Sequence, residues 1–546
     1  MKKKLFSLVS LVLIAGMMFA FAACNSGTPT TTTAAGTTAA ATTTTAVAST
    51  APLATVSTAG QTARTDLIMG LVGEPKTMDP TEVSDLVSFS FFFNMYDPLI
   101  RFDADDELRP GLAESWEVSD DGLQVTFHLR DGVKFWNGDP LTAEDVVFSY
   151  NKAIASSYTS SSTNMMESME KVDDKTVVLN LKFPYGPVIY CIGSAQMGII
   201  QEKHYNAVGA EGFARDPMGT GAYKLVSWAS GDKVILAAND DYYRGAPQIK
   251  DLTYKVLTDG DTAVLALQNH EVDIVDTPPA AHRATLMAEE SLTYYETPIA
   301  ASVFVGFNNA VGMFSDKRMR KAVMMTVDKE AMIEGAREGL GMALNTWWPI
   351  PIGGWDMANN DKLQGIPYDP EGAKALFTEA GYGSGLVVEL KTTDSATYNK
   401  PTEVLQDMLS QVGVTGNINR MERTAYFESV QTERDFDMAV LASTTGVPDI
   451  DYIYPSFHSS YVDAGRNYMG VKNADLDRLL ETGRASTDQA ERAQIYLEMA
   501  ELWNEEVFSG VLYTYFTPIC ADKNLQGVII NSKNRMFMFD FWWSAE

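Results

Sequence analysis

Cysteine and histidine are scarce in this chain, with three and five respectively among 546 residues. Three cysteines cannot supply the disulfide framework that holds small secreted domains together. The histidines, His128, His204, His270, His282 and His458, include no pair at the helical spacing of a metal site. A Gly-x-Ser-x-Gly elbow, a P-loop and a zinc-protease motif are also missing, so no motif nominates a catalytic reaction. Positive charge is in deficit: 42 Lys and Arg stand against 71 Asp and Glu, a formal net charge of −29. Such a polyanion is repelled by phosphates, which excludes nucleic acid as a partner and argues against the body lying on an anionic membrane.

The chain begins Met1-Lys2-Lys3-Lys4, continues with an uncharged apolar run from Leu5 to Ala23 and reaches Cys24. A basic start, an apolar stretch and small residues before a break make a secretory signal. Phe21-Ala22-Ala23-Cys24 resembles a bacterial lipoprotein box, which implies cleavage before Cys24 and its lipidation, although Phe21 replaces the usual aliphatic residue. The alternative is an uncleaved anchor, since the run is just long enough to span a bilayer. Both readings place the body outside the membrane, with the lysines on the cytoplasmic side. From Asn25 to Ala63 there is no charged residue, and Thr, Ala and Ser dominate. Such a segment buries too little apolar surface to offset its ordering entropy, so it is expected to be a disordered tether. The expected division is a signal over 1–23, a lipidated Cys24 with its tether over 24–65, and a body from Asp66.

The body is too long for one ordinary core. Its most informative stretch runs from Leu112 to Lys152, LAESWEVSDDGLQVTFHLRDGVKFWNGDPLTAEDVVFSYNK. Trp116 and Val118, then Val125, Phe127 and Leu129, alternate with polar residues as half-buried strands do. Asp120-Asp121-Gly122 and Asp131-Gly132 supply turns, with a further strand-like run after the second. Thr142 stands as an N-cap with Asp145 three residues on, ahead of Val146, Val147 and Tyr150. Elsewhere strands alternate with capped helices. Asp369-Pro370-Glu371 opens one helix, Ser315 precedes another over 316–326, and Ser486-Thr487-Asp488-Gln489 reads as a capping box for a late one. Phe89 to Tyr96 reads as an aromatic helix or strand. The alternation indicates an α/β fold.

The Leu112–Lys152 stretch closely resembles the signature segment of the family 5 solute-binding proteins, the extracellular receptors of peptide and nickel ABC importers. Glu74-Pro75-Lys76-Thr77-Met78-Asp79-Pro80 resembles that family's opening, and Gly219-Thr220-Gly221-Ala222-Tyr223 its Gly-Thr-Gly-Pro-Tyr turn with Ala222 in place of proline. The resemblance implies a two-lobed, periplasmic-binding-protein-like fold of class II with an extra subdomain in the first lobe. Its implied divisions are a first lobe over 66–304 with an inserted subdomain near 112–220, a second lobe over 305–514, and a return over 515–546. Two strands, near 305 and 515, form the hinge. It also implies a monomeric receptor, not an enzyme, that needs no cofactor and hands its ligand to an ABC permease. An extracellular hydrolase and a sensory receptor are the rivals from other classes.

A cleft of this kind needs aromatic walls and a few fixed polar groups. Trp347 and Trp348 lie in a Pro- and Gly-rich loop and are hard to bury together. Ser88 and Phe89 follow the first strand, Gly219 and Thr220 allow close backbone approach, and Phe307 and Asn308 lie near the first crossing. Peptide-binding relatives often carry an aspartate four residues before the proline that corresponds to Pro448, where it pairs with the ligand's ammonium. Thr444 occupies that position, beside Thr445, and a hydroxyl cannot neutralise a buried ammonium. Asp449 or Asp451 is the candidate substitute. The ligand is therefore expected to be a short peptide, with an oligosaccharide stacked on aromatics as the alternative. Nickel is the lesser one: Met165-Met166 and Met324-Met325 read as core filler. Whether Cys191 and Cys520 are bonded is left open by the sequence.

Overall fold

The computed structural model describes residues 64–103, 106–349, 352–353, 355, 359, 362–383, 385–444, 449–529 and 536–545. The signal, Cys24, nearly all of the tether and Thr445 lie outside these residues.

Strand β1 (Asp66–Leu71) buries Leu67, Met69 and Leu71. The aromatic stretch that follows is a helix, α1 (Leu86–Met95), because the Asp85 carboxylate caps it by accepting the backbone N–H of Ser88. The signature segment then folds as its pattern predicts. Strands β2 (Ala113–Val118) and β3 (Gln124–Leu129) pair antiparallel, and helix α2 (Ala143–Ala155) carries the expected Thr142–Asp145 capping box. The strand-like run after Asp131-Gly132 amounts to one isolated bridge, Lys134 to Pro140. With β4 (Met166–Lys171) and β5 (Thr176–Leu181) these strands make a four-stranded sheet in the order β2-β3-β5-β4, whose apolar face packs with Val146 and Tyr150 of α2. This sheet and α2 occupy the span where the resemblance places an inserted subdomain.

The chain returns to the first lobe through β6 (Tyr223–Ala229), β7 (Lys233–Ala238), β8 (Asp251–Val256), β9 (Ile274–Asp276) and β10 (Leu292–Pro298). The chain continues with β11 (Ala301–Phe307), helices α3 (Lys317–Met325) and α4 (Lys329–Arg337), and β12 (Gly341–Ala343), the start of the span expected to form the second lobe. It continues with β13 (Val387–Thr393), β14 (Thr415–Met421), β15 (Met438–Thr444), α5 (Ala474–Ala485) and α6 (Gln489–Glu506). Two caps sit slightly off their predicted residues. Asp316 rather than Ser315 caps α3, and Asp488 caps α6, while Ser486 instead donates to Glu491.

Strand β16 (Ser509–Asp522) joins the two halves into one 12-stranded sheet, along the path β14-β13-β15-β11-β16-β9-β1-β8-β7-β6. Its first part pairs with β11 and its last part with β10. On the partner side the chain passes from β10 to β11 through Ile299 and Ala300, and the Ile299 N–H still donates to the Tyr515 carbonyl of β16 at 3.2 Å. Thr514 ties the two crossings together by donating its hydroxyl to the Ile299 carbonyl at 2.7 Å. Beyond the crossing β11 is buried on both faces, with Val303, Val305 and Phe307 in one core and Phe304 in another. Cys191 lies in the subdomain core and Cys520 on β16, and both are free and buried. Among the described residues no helix is long and apolar enough to cross a membrane.

Lys329 lies close to the crossing. Its ammonium donates to the carbonyl of Leu344, whose own N–H bonds Leu512 on β16. Burial pushes its pKa down to about 8 from 10.5. Between those pH values the unfolded chain binds the proton that the folded chain has released, so this group makes stability rise with pH over that window. Below about pH 8 the buried charge costs on the order of 3 kcal/mol. Lys329→Met is expected to raise the urea midpoint at pH 7 and to flatten stability between pH 8 and 10.5; an unchanged pH profile contradicts this.

Candidate functional site: the free edge of a strand at the lobe crossing

The two edges of β15 are used differently. On one side it pairs with β11 over its whole length, from Met438 opposite Phe307 to Thr444 opposite Ala301. On the other side β13 covers only Met438 and Ala439. Among the described residues, Val440 to Thr444 therefore have a strand partner on one edge only. The Tyr426 hydroxyl donates to the Val440 carbonyl at 2.8 Å, which marks that carbonyl as facing the uncovered side. Strand alternation then turns the backbone N–H and C=O of Ala442 and Thr444 the same way. Burial falls along the strand, from the buried Leu441 through half-buried Ala442 and Ser443 to exposed Thr444. The edge thus opens next to Ala301, the first residue of β11 after the crossing, and its side chains there are small. An edge of this kind can take an extended chain through main-chain hydrogen bonds.

The tryptophan loop lies against the same strands. Ser302 of β11 donates its hydroxyl to the Trp347 carbonyl at 2.7 Å. The expectation that adjacent tryptophans resist joint burial fails: Trp347 and Trp348 are 1% and 0% exposed. They enter different aromatic neighbourhoods, Trp347 against Phe304 at 4.8 Å and Phe457 at 5.0 Å, Trp348 against Trp355 at 5.3 Å and Tyr496 at 6.2 Å. The Thr346 hydroxyl accepts the Trp348 N–H and fixes the turn between them. Phe307 is core, and Asn308 serves a turn, accepting from Ala310 and Val311 while donating to the Arg434 carbonyl.

The first-lobe candidates are bound up with the framework. Ser88 accepts from the Lys76 N–H and donates to Asp85, and Phe89 is half-buried against Phe92. The Gly219-Thr220-Gly221 turn does permit close approach, and what it approaches is the end of α1. Gly221 N–H donates to the Met95 carbonyl at 3.1 Å, and a Cβ at Gly221 would come within 2.4 Å of the Met95 backbone. Thr220 donates to Asp97 at 2.7 Å, as does Tyr242. Burial pushes the Asp97 carboxyl up, and these two hydroxyls oppose that shift.

The two aspartates after Pro448 are each held by an arginine. Asp449 is fully buried, receives Arg492 at 2.7 Å and accepts the Asp451 N–H at 2.9 Å. Arg492 is also fully buried and is fixed by the Gly483 carbonyl and the Tyr496 hydroxyl. Asp451 receives Arg484 through two contacts of 2.8 and 2.9 Å, and the hydroxyl of Tyr185 from the subdomain at 2.8 Å. Burial nevertheless pushes the Asp451 carboxyl above its ordinary value. Sequence reasoning found both acids and missed both arginines, which lie 33 and 43 residues downstream on other elements. Among the described residues no three His, Cys, Asp or Glu side chains converge to hold a metal ion.

Comparison with known proteins brings the fold and this region together. A family model described as "Bacterial extracellular solute-binding proteins, family 5 Middle" matches residues 107–464. The oligopeptide-binding protein AppA of Bacillus subtilis is 27% identical over 514 residues, covering 88% of this chain and 92% of that protein. The dipeptide-binding protein of Escherichia coli is 27% identical over 470 residues, covering 80% and 86%. Among solved structures, the unliganded open form of the murein tripeptide binding protein MppA aligns with a TM-score of 0.82 at 20% identity, covering 89% and 99%. AppA in complex with a nonapeptide aligns with a TM-score of 0.65 at 26% identity, covering 88% and 99%.

Proposed function

Since the chain belongs to the bacterial extracellular solute-binding proteins of family 5, we propose that it captures a short peptide between its lobes and delivers it to an ABC permease. The observation that carries this reading is the uncovered edge of β15. Its Ala442 and Thr444 present backbone donors and acceptors beside the crossing strands, which suits an extended peptide backbone and any side-chain sequence. Closure about Ile299–Ala300 and Thr514–Tyr515 encloses the ligand, and contacts to both lobes favour the closed state. No bond is made or broken. The TM-score of 0.82 against an open, unliganded relative, beside 0.65 against a nonapeptide complex, supports taking the present arrangement of lobes as the open one.

The oligosaccharide alternative rested on aromatic platforms, and Trp347 and Trp348 have their faces packed in the second-lobe core. A lipid on Cys24 and the uncharged tether complete the reading by holding a monomeric receptor at the outer face of the membrane. The basic start and apolar run before Cys24 support that part.

A thermal-shift comparison tests the ligand class with three probes: a pool of random tetrapeptides, a pool of malto- and cello-oligosaccharides, and nickel with histidine. A ligand at a hundredfold its Kd adds about 2.7 kcal/mol of stability. The tetrapeptide pool is expected to raise Tm while the other two leave it unchanged. Stabilisation by the sugars alone would refute the peptide assignment.

A further inference from the structure

The uncovered edge of β15 is closed at its inner end. There β13 pairs with Met438 and Ala439, and the Tyr426 hydroxyl donates to the Val440 carbonyl at 2.8 Å. An extended chain paired with Ala442 and Thr444 therefore ends, or turns away, at Tyr426. A peptide carries a positive charge at one end and a negative charge at the other, so the groups beside Tyr426 decide which end lies there.

Tyr426 belongs to the helical turn Arg423–Phe427, which follows β14. Its buried ring lies 5.1 Å from Phe427 and 5.8 Å from Tyr398, and Tyr398 and Phe427 stand 5.9 Å apart. Tyr398 comes from the first turn of the helix Ala396–Gln411, which follows β13. Because β13 is parallel to both β14 and β15, the carboxyl ends of all three strands lie at one end of the sheet, which brings these rings to the opening of β15. The Arg423 guanidinium lies 5.2 Å from the centre of the Phe427 ring. Burial pushes the Tyr398 hydroxyl up, and the nearby Arg423 charge opposes that shift.

Arg423 is exposed, and among the described residues no carboxylate stands within ion-pair distance of it. Two acids of the same region are engaged elsewhere. Glu422 accepts the N–H groups of Thr424 and Ala425 at 2.7 and 3.2 Å, and Glu403 takes Arg420 at 2.6 Å. A carboxylate arriving here breaks no ion pair of Arg423, whereas an ammonium would meet like charge. On the premise that the ligand is a peptide, we propose that Arg423 receives its C-terminal carboxylate. The peptide then lies antiparallel to β15, with its last side chain against Tyr398 and Phe427 and its N-terminus toward Thr444. A guanidinium fits a carboxylate through two parallel N–H donors, and removal of water on closure strengthens the pair. The site thereby selects peptides with a free carboxyl end and sets where they stop.

Native mass spectrometry of the full-length protein with two pools of random tetrapeptides, one with free C-terminal carboxyls and one amidated, tests this assignment. The wild type is expected to hold the free-acid pool about tenfold more tightly. Arg423→Gln is expected to lose that preference by weakening the free-acid pool alone, with an unchanged melting temperature because Arg423 is exposed. Arg423→Lys keeps the charge and is expected to keep part of the preference. Equal binding of the two pools by the wild type would overturn the assignment and leave the peptide reading standing. So would a preference that survives Arg423→Gln, or an equal loss of both pools in that variant. Binding of neither pool by the wild type would reject the peptide reading, and the role of Arg423 with it.

Discussion

Asp449→Ala is expected to lower the unfolding free energy by about 3–5 kcal/mol, the usual cost of stripping one partner from a buried ion pair. The reason is geometric. Arg492 and Asp449 are both 0% exposed, and Asp449 supplies the only carboxylate within ion-pair distance of Arg492 among the described residues. Without it the guanidinium keeps the Gly483 carbonyl and the Tyr496 hydroxyl, which accept hydrogen bonds and do not neutralise charge. The urea midpoint should fall with the m-value unchanged. The double variant Asp449→Leu with Arg492→Met should recover most of the loss, since replacing both partners removes the stranded charge. An Asp449→Ala protein with an unaltered midpoint and no peptide binding would instead make Asp449 the ammonium partner suggested by its place after Pro448.

The second large effect concerns binding. Thr444→Pro removes one backbone N–H from the uncovered edge of β15, and the strand conformation of Ser443 already suits a residue before proline. Peptide affinity is expected to fall by about tenfold to a hundredfold, the cost of leaving one peptide carbonyl without its main-chain donor in a site screened from water. Stability should change little, because that N–H faces away from β11. Ser443→Pro is the contrasting case: its N–H faces β11, so the same substitution one residue earlier should cost about 1–3 kcal/mol of stability. Thr444→Asp adds a carboxylate at the aligned ammonium position. It should tighten binding of peptides with a free N-terminus and leave N-acetylated peptides unaffected. Equal losses from Thr444→Pro and Ser443→Pro, in both stability and binding, would mean that the edge has been assigned to the wrong side.

Much of the scaffold was legible because its signals are local. The capping box at Thr142 and Asp145, the alternation through Val125, Phe127 and Leu129, and the Asp369-Pro370 helix start each depend on residues within one turn of one another. The site was less legible because its determinants are long-range. Burial of Trp347 beside Trp348 depends on aromatics contributed by Phe457 and Tyr496, which no neighbouring residue announces. The commitment of Asp449 to Arg492 is of the same kind. The free edge of β15 depends on where β13 stops pairing, a matter of sheet register rather than of composition.

Native mass spectrometry of the wild type and Thr444→Pro, each incubated with a pool of random tetrapeptides, tests the central claim most directly. The expected result is peptide adducts on the wild type and few or none on the variant, with the two proteins melting at the same temperature. Equal adducts on both proteins, or none on the wild type, would contradict capture of a peptide along β15.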